Sequence, residues 1–362
     1  MELGAFMMPS HPPERGIHEG IEYDLAQLRL LDARGFREAW IGEHFTAVWE
    51  PCPAPDLLIA QALRETERIV LAPGAHLLPY HHPIELAHRV AYLDQMARGR
   101  YMLGVGISAL PGDLLLYDVD AAGGENRRRT LESLEIMLRL WREGGFDFDG
   151  EFWKVRRPET GFDGLGVHLK PWQRPHPPIG IAGLSAGSKT LELAGERGFL
   201  PLSISLNPAH TASHWDSVLR GAERSGRRPE RGDWRLVREV YVAETDAKAR
   251  EYARHGAMGR CWGEYLLPFY VGNGMGVHIK RDPREPDSDL DVDYLVEHNW
   301  LVGSPATVTE KLQQLQHETG GFGTLLVVLY DMSGEQERWE ESLRLLAEEV
   351  APKIAGPARA GG

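Results

Sequence analysis

The sequence predicts an α/β fold, a (β/α)8 TIM barrel formed by residues 1–353 as one domain. Three observations carry this. First, eight apolar, β-rich runs recur along the 362 residues. Nearly all are followed by a helical segment, and eight alternating β/α units close most naturally into a barrel. Second, Arg68 to Ser108 reads as one complete unit. An apolar run from Ile69 to Leu78 leads to a helix opening at His82-Pro83, with Ile84, Ala87 and Ala91 on one face. Gly99 stops that helix and Tyr101 to Gly106 is a second buried run. Two buried runs joined by a packed helix imply parallel strands. Third, the competing doubly wound open sheet carries a glycine-rich dinucleotide fingerprint after its first strand, and here that strand ends in MMPSHPP.

Taken in order, Leu3 to Met8 is strand one, and Ile21 to Arg34 is a helix with Leu25, Leu28 and Leu31 in a stripe ended by Gly35. Phe36 to Ile41 is strand two, running into Gly42-Glu43-His44-Phe45. A proline-rich loop precedes a helix from Asp56 to Glu65. The Arg68–Ser108 unit supplies strands three and four. An irregular loop, ALPGDLLLYDVDAAGGEN, then leads to a helix from Arg127 to Trp141, and FDFDGEFWKV is a hairpin excursion. Pro178 to Ala182 is strand five, with a helix at Lys189–Arg197; Phe199 to Ser205 is strand six, with a helix at Ala209–Glu223. Trp234 to Ala243 is strand seven, followed by a helix from Asp246. Met258 to His298, rich in Gly, Asp, Pro and aromatics, reads as a mobile lid inserted before strand eight. Ser304-Pro305 starts a helix to Thr319, Thr324 to Tyr330 is strand eight, and a last helix runs to Val350. The tail, residues 354–362, reads as disordered.

Hydrophobic residues at 42% and charged residues at 26% are ordinary for a soluble globular protein. No run is apolar and long enough to span a bilayer, and the N-terminus lacks a secretory pattern, so the reading is cytoplasmic with no membrane partner. A net charge of −13 argues against nucleic acid as a partner. The two cysteines, Cys52 and Cys261, have neither metal spacing nor a CxxC arrangement.

A barrel carries its function at the carboxyl ends of its strands. Gly183 to Ser188 joins strand five to a helix N-terminus and offers small residues, free N–H groups and the Ser185 and Ser188 hydroxyls, a setting that binds phosphate. The plainer reading is a capped turn with Ser188 as N-cap. Arg127-Arg128-Arg129 place cations at a helix start, where they oppose the dipole; the plainer reading is pairing with Glu125 and Glu132. His44 follows strand two, with Glu43 placed to orient it, as an acid/base candidate against a structural histidine. His81-His82 has no third ligand at metal spacing, so no metal is expected, and His82 and Asp331 are equally placed to cap helices. Gly104-Val105-Gly106 leaves a backbone that a flat ligand can approach. Aromatics and methionines at the strand mouths, among them Met8, Trp49 and Tyr80, favour an apolar substrate.

These residues resemble the bacterial luciferase-like superfamily of flavin-dependent monooxygenases, closest to limonene monooxygenase-like members. The resemblance covers Met1 to Val350 and rests on FMMPSHPP, GFREAWIGEHF, LLPYHHPIELAHRVAYLDQMARGRYMLGVG, KPWQRPHPPIGIAGLSAGS and WLVGSPATVTEKL. It implies a homodimeric barrel that takes reduced FMN from a separate NAD(P)H:flavin reductase and inserts one atom of O2 into a small apolar substrate through a flavin hydroperoxide. It places His44 as acid/base. It places Gly183, Leu184, Ser185, Ser188 and Arg128 at the phosphate, with Arg129 the near alternative, and Gly74-Ala75 at a non-proline cis peptide under the flavin. Met8, His11, Trp49 and His82 then fall in the substrate pocket, and 258–298 matches the active-site loop. Luciferase has a cysteine where this chain has Ile107 and an arginine where it has Ser108, which implies no light emission and a weaker phosphate grip at Ser108. Two alternatives stay open: a deazaflavin-dependent hydride transferase, and a non-catalytic flavin-binding partner.

Overall fold

The first strand, β1 (Glu2–Met7), pairs on one side with β2 (Glu38–Ile41) and on the other with β13 (Thr324–Leu329), the last strand of the chain. That pairing closes a barrel. The computed structural model describes residues 1–158 and 164–357. Its main sheet runs β3 (Val70–Pro73), β2, β1, β13, β10 (Arg235–Arg238), β9 (Leu200–Ser203), β8 (Ile179–Gly183), β5 (Leu103–Gly106) and β4 (His76–Leu77). Every pairing in it is parallel. β3 and β4 are one strand interrupted at the cis peptide Gly74–Ala75, so the nine segments make eight strands.

Helices cover the outside: α1 (Ile17–Ala33), α2 (Pro55–Glu65), α3 (Pro83–Ala97), α5 (Glu125–Glu143), α6 (Lys189–Arg197), α7 (Pro208–Ser225), α8 (Asp246–His255), α12 (Pro305–Thr319) and α13 (Gln336–Leu345). Their starts follow the sequence signals. His82, Ser188, Asn207, Thr245 and Ser304 each accept a hydrogen bond from the first turn, which satisfies a donor that the helix cannot. The barrel interior is a separate cluster of Trp40, Ala72, Met102, Leu202, Val237 and Leu326. Below it, Arg235 bonds both oxygens of Glu38 at 3.0 Å, and Trp40 Nε1 donates to the same carboxylate. A buried cation and anion are tolerable there because each saturates the other.

Several expectations need correction. The loop after Ser108 contains a short helix, α4 (Pro111–Leu116), and it carries a site residue. The glycines at 104 and 106 make room for the chain itself: a side chain at Gly104 would collide with the Pro73 carbonyl, and a Cβ at Gly106 would lie 2.9 Å from Leu77. Strand seven divides at Glu239, and its second half, β11 (Val240–Val242), leaves the barrel to pair with β12 (Leu301–Gly303), a strand not foreseen. The hairpin excursion is present as β6 (Phe148–Asp149) and β7 (Lys154–Val155).

The 258–298 segment is built of short helices, among them α9 (Ala257–Cys261), α10 (Leu267–Gly272) and α11 (Val292–His298). Met258, Trp262, Leu267, Ile279, Leu295 and Val296 from it are buried. Of the tail, Ile354 is buried and its carbonyl accepts from the N-terminal ammonium. Residues 358–362 lie outside the described part. Among the described residues, no helix is long and apolar enough to cross a membrane.

Candidate active site

His44 emerges from the carboxyl end of β2, where the strand alternation ends and the chain turns. Its Nδ1 lies 3.0 Å from Asp113 Oδ2. Asp113 is fully buried in α4 and its Oδ1 accepts from Phe45 N, Thr46 N and the Thr46 hydroxyl at 3.2, 2.8 and 2.6 Å. Burial alone would raise its pKa, but the His44 and Thr46 bonds outweigh burial and hold it below the usual value. On the other ring nitrogen, Glu50 Oε2 lies 3.5 Å from His44 Nε2. Glu50 accepts from Tyr265 OH at 3.0 Å and from Ser10 at 3.4 Å, and its burial pushes its pKa up. Burial works against a charged His44, yet the Asp113 bond and the two carboxylates prevail, so its pKa is raised. The imidazole therefore stands between a carboxylate that its bonds hold toward the anion and a carboxyl that burial pushes toward the acid. Such a group is suited to general acid/base work.

Glu43 does not orient His44. Its carboxylate turns to the other side, where Oε2 lies 2.8 Å from His76 Nδ1 and Oε1 lies 2.8 Å from His81 Nε2. Leu77 N also donates to it. Burial opposes ionisation, but these bonds hold Glu43 at about 2. The ligand atoms of Glu43, His76 and His81 lie within 4.8 Å of one another. Both Glu43 oxygens, His76 Nδ1 and His81 Nε2 are engaged in this mutual bonding, while the buried His76 Nε2 has no partner among the described residues. His11 is likewise committed: Nδ1 is 2.9 Å from Asp331 and Nε2 is 3.2 Å from Asp24, so neither nitrogen is left to face a substrate. His82 is exposed, caps α3 and rests edge-on against Trp153 at 4.9 Å. Trp49 is buried and stacks on Tyr265 at 6.0 Å, which ties the loop after His44 to the 258–298 segment. Met8 follows β1 beside Gly42.

At the end of β8, Ser188 caps α6 by accepting from Leu191 N at 3.4 Å. Ser185 is exposed, and its N–H and that of Ala186 have no partner among the described residues. Gly187 adopts φ +59°, where a side chain would be strained, and its own N–H donates to Ser213 Oγ at 3.2 Å. His214 fixes the loop from below by donating from Nε2 to the Ser185 carbonyl at 3.1 Å, and Leu184 leads into it. These features fit a phosphate cradle built from backbone donors at a helix start. Arg128 is half exposed and bonded to Glu151 at 3.1 Å, while Arg129 pairs with Glu125. Ser108 adopts φ +60° and its hydroxyl bonds Tyr80 at 2.6 Å. Gly74–Ala75 is cis, as its position implied.

Sequence reasoning missed Asp113, Glu50 and Tyr265. Asp113 lies in a run read as irregular, although Pro111-Gly112-Asp113 is a short helix start with an acidic first turn. Glu50 sits in a proline-rich loop and carries no local signal.

The Luciferase-like monooxygenase family matches residues 1–321. The 3,6-diketocamphane 1,6-monooxygenase of Pseudomonas putida is 35% identical over 376 residues, which cover 99% of this chain and 100% of that protein. Limonene 1,2-monooxygenase of Rhodococcus erythropolis is 29% identical over 361 residues, 98% of this chain and 87% of that one. A solved structure has a TM-score of 0.92 at 35% identity over 99% of both chains. It is described as a type II Baeyer–Villiger monooxygenase, the oxygenating constituent of 3,6-diketocamphane monooxygenase from the CAM plasmid of Pseudomonas putida, in complex with FMN. The chain belongs to the luciferase-like monooxygenase family.

Proposed function

We propose that this protein is the oxygenating half of a two-component system that uses reduced FMN and O2 to insert one oxygen atom into an apolar cyclic ketone. The observation that carries it is His44, held between Asp113 and Glu50 at a barrel mouth that also bears the loop Gly183–Ser188 at a helix start. The named relatives favour a ketone over a terpene, since the camphane enzyme has the higher identity. The loop Gly183–Ser188, with Arg128 at the rim, would hold the FMN phosphate, and the cis peptide Gly74–Ala75 would lie against its ring. Bound there in its reduced form, FMN supplies two electrons and the position at which O2 is activated; one oxygen atom enters the ketone and the other leaves as water.

The chain's own residues do the rest. Asp113 keeps His44 Nδ1 protonated, so that Nε2 is the atom that takes up or gives a proton. Trp49, Tyr265 and the 258–298 segment shield the mouth from water, which would otherwise divert the oxygen to hydrogen peroxide. A separate reductase supplies the reduced flavin, because the chain bears no nicotinamide fingerprint. A homodimer, testable by light scattering, belongs to the same proposal.

The experiment is a single turnover with chemically reduced FMN, O2 and a bicyclic ketone such as 2,5-diketocamphane. The expected product is a lactone one oxygen heavier. Recovered ketone with one hydrogen peroxide per flavin would sink the reading.

A further inference from the structure

Glu239 stands where strand seven divides, two residues beyond Val237 of the interior cluster. The register of β10 therefore carries it to the inner side of the barrel at its carboxyl end. It is 5% exposed, yet Oε2 has no partner among the described residues. Leaving such an atom unpaired costs about 1–3 kcal/mol, which marks it as a place where a ligand group is expected.

The direction of the surrounding bonds decides what that group is. An indole N–H is a donor only. Trp262 Nε1 must then donate to Tyr330 OH, 2.8 Å away, and the Tyr330 proton passes on to Glu239 Oε1 at 3.1 Å. Oε1 is thus an acceptor, which leaves Oε2 as the oxygen that carries the proton in the acid form. Burial favours the acid form of that carboxyl, raising its pKa against the opposing Tyr330 bond and the Arg238 charge. Arg238 itself does not pair with it, since its guanidinium bonds the Val237 carbonyl at 2.7 Å and Thr211 Oγ1 at 3.1 Å. The chain Trp262 to Tyr330 to Glu239 ends in one buried O–H donor whose strength the two preceding bonds increase. The register that pairs Arg238 with Val327 sets Glu239 level with Val328 and, one strand further, Phe6; these two, with Ala182 and Ile204, are only partly buried against the interior cluster, an apolar setting for an apolar body.

Building on the ketone monooxygenase reading, we infer that Glu239 is the polar anchor of the substrate site: its Oε2–H donates to a carbonyl oxygen of an otherwise apolar ketone. The site therefore selects ketones over hydrocarbons of the same shape, because only a carbonyl satisfies the buried donor.

The test is equilibrium binding of 2,5-diketocamphane, and of the hydrocarbon camphane, to the full chain loaded with oxidised FMN. Affinity is read by calorimetry and the ketone C=O stretch by infrared difference spectroscopy. In the native protein the stretch should move to lower frequency. Glu239→Leu should abolish that move and weaken the ketone by roughly tenfold, with camphane unaffected. Glu239→Gln keeps an N–H donor and should restore most of both. A thermal melt of each variant excludes unfolding.

An unshifted stretch in the native protein, or unchanged ketone affinity in Glu239→Leu, would overturn the inference. So would a loss of FMN affinity with ketone binding intact, since the proton would then face the flavin. A shifted stretch without any oxygenated product would leave Glu239 as the anchor and defeat the monooxygenase reading instead.

Discussion

Glu50 reaches His44 Nε2 at 3.5 Å, while Asp113 holds the other ring nitrogen at 3.0 Å. The two carboxylates are not equivalent. Asp113 is saturated by four hydrogen bonds and is pushed toward the anion. Glu50 has weaker donors and is pushed by burial toward the acid. Environments that drive two carboxyls apart separate an orienting role from a proton-exchanging one.

The first prediction concerns His44. His44→Ala should lower turnover by about 10²–10⁴-fold, the usual worth of an acid/base group. Reduced-FMN affinity should stay near native. Full turnover in this variant would remove His44 from the chemistry.

Asp113→Asn tests the pairing. Burial opposes a charged His44 and the Asp113 bond overcomes it, so loss of that charge must lower the pKa of His44. If His44 works deprotonated, the acidic limb of kcat/KM against pH should move to lower pH. A profile that keeps its limb and only loses amplitude would mean that Asp113 merely supports the loop.

The His11 network predicts a pH-dependent stability. Burial opposes its charge, but Asp24 and Asp331 raise His11 to about 9 from 6.5. A raised folded value stabilises fully below about 6.5, and that contribution fades as pH climbs through about 9. A shift of this size corresponds to about 3 kcal/mol for this buried group. Denaturant melts at pH 6 and pH 10 should therefore differ more in the native protein than in His11→Gln. Equal differences would show that the network holds no charge.

Glu43 should behave as a structural anion. Removing it leaves His76 and His81 without their acceptor, and breaking a buried charge network costs about 3–5 kcal/mol. Glu43→Ala should lower the melting temperature markedly, with kcat per folded molecule little changed. A large kcat loss at native stability would return Glu43 to the reaction.

Arg128 is tied to Glu151 across an exposed pair. Such pairs hold weakly, about 0–1 kcal/mol. Glu151→Gln should free Arg128 and tighten FMN by a few-fold in low salt, read by flavin fluorescence. No change would place Arg128 outside the phosphate site.

Much of the fold was readable because periodicity is a local property. The stripe Leu25, Leu28, Leu31, the caps His82, Ser188 and Ser304, and the parallel unit from Arg68 to Ser108 all follow from residues near one another in the chain. The division of strand seven at Glu239 was not readable, because Arg235 to Val242 is one β-rich run. What splits it is the partner of each half, β13 and β9 for the first and β12 for the second. The 258–298 segment looked like a loop for its glycines and prolines, yet Trp262, Leu295 and Val296 bury enough apolar surface to order it.

By itself the sequence determined the barrel, the position of His44 after strand two and that of the loop Gly183–Ser188 between strand five and its helix. Only the tertiary structure decided which carboxylate each histidine meets: Asp113 and Glu50 for His44, Glu43 for His76 and His81, Asp24 and Asp331 for His11. Adjacency in the chain made Glu43 the natural partner of His44. Consecutive residues leaving a strand point to opposite sides, so the partner had to come from another part of the barrel.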